Sequence, residues 1–66
     1  MKFVKTHENY TVKIWECSTT KMRIEYLKFL KYYIVIDNNN CYVWEFQTLK
    51  EAKKAAFDWF NAEDIF

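Results

Sequence analysis

Not one of the 66 residues is glycine or proline. Glycine takes positive φ without steric cost, and proline presets the bend of a turn. A chain lacking both must reverse direction with Asn, Asp, Ser and Thr, whose short side chains bond their own backbone. It also lacks any glycine-rich loop in which backbone amides could close around a phosphate. Two stretches meet the requirement for turns, CSTT at 17–20 and DNNN at 37–40. The second is the stronger, because Asn enters the left-handed region more readily than other non-glycine residues.

Between these turns the chain alternates. In residues 10–16 (YTVKIWE), Tyr10, Val12 and Ile14 oppose Thr11, Lys13 and Trp15, the pattern of a half-buried strand. In residues 21–27 (KMRIEYL), Met22, Ile24 and Tyr26 oppose Lys21, Arg23 and Glu25. Residues 20–31 also fit a helix, with Met22, Tyr26, Leu27, Phe29 and Leu30 on one side. No breaker stands before Tyr32, which favours the strand. Residues 32–36 (YYIVI) are rich in β-branched and aromatic side chains, and 41–46 (CYVWEF) complete a hairpin across DNNN.

Thr48 and Glu51 have capping-box spacing. Behind them Leu49, Ala52, Ala55, Ala56, Trp59 and Phe60 form an apolar stripe, opposed by Lys50, Glu51, Lys54 and Asp58. Asn61 is the expected stop, and Ile65 and Phe66 belong to a short acidic tail. The expectation is one α+β domain over 1–66: a four-stranded antiparallel meander with one C-terminal helix on one face. The alternative order is β-α-β-β-α.

A domain of this size buries only about 60% of its unfolded surface, so its core is thin. Fourteen aromatic residues are more than such a core hides, and a surface cluster of rings marks an interface. No site for chemistry emerges. His7 is the sole histidine and has no second base or activated nucleophile in its pattern. Cys17 and Cys41 lack metal-ligand spacing and read as reduced, core-packing thiols. Asp37 with three asparagines lacks the Gly and distal Glu of a Ca²⁺ loop. No run approaches a membrane span, and residues 1–10 contain no apolar leader core, so a cytoplasmic, cofactor-free, non-enzymatic protein is expected.

The net charge of +1 conceals polarity: residues 1–31 sum to +4 and 32–66 to −3. With one helix covering one sheet face, Lys13, Trp15, Lys21, Arg23 and Glu25 are expected on the open face. In the 32–46 hairpin, a two- or four-residue loop pairs Ile36 with Cys41 and gathers Tyr33, Val35, Tyr42, Trp44 and Phe46 on one side. A three-residue loop pairs Ile36 with Tyr42. Either way both sides are apolar and a second cover is needed, which could be residues 27–31 or another molecule. On the helix, Phe57 stands off the stripe among Lys50, Lys53 and Lys54.

These features predict a partner-binding surface made of Trp15, Lys13, Arg23, Tyr42, Trp44, Phe57, Lys50, Lys53 and Lys54. Trp, Tyr and Arg are the side chains that dominate interface energetics. The expected function is a small non-enzymatic protein-binding module, of the kind phages and mobile elements use to inhibit or regulate a larger host protein. The segment TLKEAKKAAFDW (48–59) also resembles the last helix of double-stranded-RNA-binding domains. That resemblance implies phosphate contacts by Lys50, Lys53 and Lys54 ahead of Ala55 and Ala56. Nucleic-acid binding is therefore the alternative, although a net charge of +1 is low for a backbone binder.

Overall fold

Polar side chains do close the reversals, but lysine joins them. The computed structural model describes residues 1–63. Its elements are β1 (Val4–Glu8), β2 (Val12–Glu16), β3 (Arg23–Leu27), β4 (Tyr32–Ile36), β5 (Tyr42–Phe46) and α1 (Leu49–Glu63). Asn9 makes the first turn, its Oδ1 accepting from the Thr11 and Val12 amides and from the Thr11 hydroxyl. Asp37 makes the last, its Oδ1 accepting from the Asn39 and Cys41 amides at 2.9 Å. Asn40 takes φ 63° there, as the run of asparagines predicts. The two middle turns end instead on Lys21 (φ 64°) and Lys31 (φ 59°), whose amides donate to the Cys17 and Leu27 carbonyls.

The sheet is antiparallel with five strands in chain order, β1-β2-β3-β4-β5, rather than the four expected. The unanticipated strand is β1. Its residues VKTHE are exposed throughout and carry no apolar alternation, so only pairing with β2 marks it as a strand. The second strand begins at Val12, and Tyr10 lies exposed in the turn before it. Residues 23–27 form a strand, which sets aside the helical alternative.

α1 packs on β4 and β5. Ala52 and Ala56 meet Met22, Ile24 and Val35 in the buried cluster, and their lack of bulk brings helix and sheet close. At the helix start the Glu51 amide donates to Thr48 Oγ1 (3.1 Å), and the Thr48 hydroxyl donates to the Glu51 carboxylate (3.0 Å). The helix runs through Asn61 to Glu63 rather than stopping. Trp59, placed in the apolar stripe by periodicity, is 40% exposed at its margin. Ile65 and Phe66 lie outside the described residues. No described helix is long and apolar enough to cross a membrane.

Candidate functional site

Which side chains share a surface follows from register. Trp15 pairs with Ile24, Ile24 with Val35 and Val35 with Trp44, so these stand on the helix side of the sheet. The expected platform is therefore divided. Lys13 and Trp15 lie on the helix side, while Arg23 and Glu25 share the open side with Val12 and Ile14. The cause is the even four-residue loop at 18–21, closed by Cys17 N–H donating to the Met22 carbonyl. It pairs Glu16 with Arg23 and so joins the aliphatic set of β2 to the charged set of β3.

On the helix side, Lys13, Tyr26, Tyr33 and Trp15 form a row. Lys13 Nζ stands 6.0 Å from the Tyr26 ring centre, Tyr26 and Tyr33 are 4.5 Å apart, and Tyr33 and Trp15 5.9 Å. Trp15 and Tyr33 also pack against the buried cluster. Their rings are half-buried and support the core as much as they face outward. On the open side Arg23 Nε meets Glu25 at 2.6 Å.

The last hairpin has the three-residue loop, with Asp37 N–H donating to the Cys41 carbonyl and Ile36 paired with Tyr42. A bulge at Val43 then shifts the register once more, so that Val35 meets Trp44 and Tyr33 meets Phe46. Neither single register describes the whole hairpin. Val43 and Phe46 turn to the core, while Trp44 is left 62% exposed and Tyr42 53%. Burial pushes the Tyr42 hydroxyl upward in pKa, and the neighbouring Glu45 carboxylate adds to the effect. Cys41, expected in the core, is exposed; Cys17 is buried.

Residues 28–31 do not cover this hairpin. They form the β3–β4 turn, and Phe29 (74%) and Leu30 (63%) project from it. A groove of about 650 Å³ joins that turn to β5, lined by Leu30, Lys31, Tyr32, Trp44, Glu45, Phe46 and Gln47. Phe29, Leu30 and Glu45 were missed by sequence reasoning. An apolar pair between two lysines was the available signal, but it reads equally well as the inner side of a helix.

Phe57 is half-exposed on α1, with Lys50, Lys53 and Lys54 exposed around it. Lys54 is paired with Asp58 at 3.0 Å. At the far edge, Glu8 bonds Lys5 at 2.7 Å and Lys28 at 3.0 Å. Those two ammonium groups, Lys5 first, hold its carboxyl down at about 2. Among the described residues no three His, Cys, Asp or Glu side chains converge as metal ligands would.

The fold begins with a strand, unlike the order the resemblance of residues 48–59 implies, in which a helix precedes the sheet. Compared with family models, curated proteins and solved structures, the chain matches none.

Proposed function

We propose that this is a non-enzymatic protein-binding module, a small inhibitor or regulator of a larger protein, and that the β5 corner is its contact surface. One observation carries the reading: Leu30 and Trp44, each more than half exposed, line one groove between the β3–β4 turn and β5, with Phe29 exposed beside Leu30 in the same turn. Single exposed apolar residues are ordinary on any surface, but large ones gathered at one corner mark a contact. Tyr and Trp are also the anchors most often found at the centre of interfaces. Lys50, Lys53, Lys54 and Phe57 form a separate patch on the helix, which supports nucleic-acid binding as the second reading.

Affinity capture with the wild-type domain and with Trp44→Ala tests the first reading. Partners retained by the wild type at moderate salt should be lost with the variant, by roughly thirtyfold in affinity for a hot spot. Unchanged retention by a folded Trp44→Ala domain rejects the β5 corner as the contact.

A further inference from the structure

We infer that an acidic, extended segment of the partner protein lies along the row Phe46, Tyr33, Tyr26 and Lys13, with an apolar anchor in the β5 groove and its carboxylates among Lys5, Lys13 and Lys28. The inference rests on the reading of the β5 corner as the partner site. It adds the direction in which the contact extends and the chemistry of the occupant.

Register sets Glu8, Lys13, Tyr26, Tyr33 and Phe46 in one line across all five strands, on the helix side of the sheet. Phe46 also lines the groove, so the line starts there and runs toward β1. α1 packs on β4 and β5, which leaves the helix side of β1 and β2 open. The far end of the line is therefore reached from the groove without crossing the helix. Phe46 and Lys13 stand three strands apart, about 14 Å at the usual strand spacing, which about four extended residues span.

Charge selects the occupant. Lys5 and Lys28 share the single carboxylate of Glu8, and Lys13 forms no ion pair among the described residues. Glu16, Glu25 and Glu45 stand on the opposite side of the sheet and balance none of this. Three ammonium groups thus face one carboxylate, and the Glu8 carboxyl, held at about 2, registers the excess. It is the local form of the +4 carried by residues 1–31. Carboxylates of a partner complete the pairing. A polynucleotide fits less well. Its binders neutralise several phosphates, and the rings here are half-buried and tilted by 39° and 48° to one another, with no common plane on which successive bases stack.

The test is selection of short random linear peptides displayed on phage, run on the wild-type domain, Trp44→Ala, Lys13→Glu and the milder Lys13→Gln. The wild type should enrich peptides with an apolar or aromatic residue and, about four positions away, Asp or Glu. Bound peptide should shift the ring resonances of Tyr26 and Tyr33. Lys13→Gln should weaken these peptides by about fivefold and reduce their salt dependence, and Lys13→Glu should weaken them further. Peptides without acidic residues, or acidic ones indifferent to Lys13→Gln, overturn the acidic segment while leaving the corner as the partner site if Trp44→Ala still abolishes binding. Equal enrichment on Trp44→Ala removes both readings, and no enrichment from any pool rejects a linear occupant. An oligonucleotide whose binding depends on Lys13 would give the row to nucleic acid. Sedimentation showing a Lys13-dependent dimer of the free domain would make a second copy the occupant. Either result rejects the inference.

Discussion

Lys21 and Lys31 hold a conformation that suits glycine, and each does so at the last position of a hairpin loop. A β-carbon in the left-handed region is crowded by the backbone, whereas glycine is not. Lys31→Gly should therefore raise stability, by about 0.5–1 kcal/mol, read as a higher urea midpoint with unchanged slope. Asn40 at φ 63° should gain less, since asparagine tolerates this region. The difference explains what was legible. The DNNN turn announces itself through its residue types, while nothing about lysine marks it as a left-handed residue; only hairpin closure demands it. The tryptophans separate in the same way. Trp15→Ala removes a ring from the margin of the core and should cost about 2–3 kcal/mol, less than a fully buried tryptophan. Trp44→Ala should change stability by no more than about 0.5 kcal/mol. Equal losses at the two positions would place Trp44 in the core and remove it from the surface.

At the level of elements, β1 is the strand held by polar contacts. Its Glu8 carboxylate bridges Lys5 on the same strand and Lys28 in the β3–β4 turn. The folded state holds this group at about 2 against an ordinary 4.5, so the unfolded chain binds its proton first as pH falls. The bridge therefore contributes fully above about 4.5 and is lost as pH drops through about 2. Amide exchange of residues 4–8, compared with 32–36, should accelerate selectively across that window, and Glu8→Gln should remove the pH dependence. The cap at the other end of the chain is independent: Thr48→Ala should cost about 1 kcal/mol. The helix, β4 and β5 were readable because their apolar periods are strong. β1 was not, because an exposed edge strand has no apolar period to read. The division of the platform was hidden for a related reason. Both faces of β2 and β3 hold apolar side chains, so alternation alone does not choose between registers that differ by one residue.

Taken whole, the molecule presents unlike surfaces: an apolar corner at β5, an open sheet side bearing Glu16, Arg23, Glu25 and Glu45, and lysines on α1. Salt separates the partner classes these could serve. Binding through Lys50, Lys53 and Lys54 to phosphates should fall steeply with ionic strength, each neutralised phosphate adding about 0.9 to the slope on duplex DNA. Binding through Trp44 and its neighbours should change little. Gel shifts showing tight, strongly salt-dependent binding to duplex or single-stranded nucleic acid would overturn the protein-binding reading.

The order of the strands has a consequence in time. Every strand lies beside its predecessor in the chain, and α1 folds back on the two strands just before it. Each strand pairing closes across a short turn, so the chain can zip from any of its hairpins with little entropy lost beforehand, and the contacts of Ala52 and Ala56 with Met22 and Ile24 follow once the sheet has formed. Rates of this kind follow the mean sequence separation of contacts more than stability. The domain should fold on the order of milliseconds or faster in a single exponential phase, with no proline isomerisation to add a slow one.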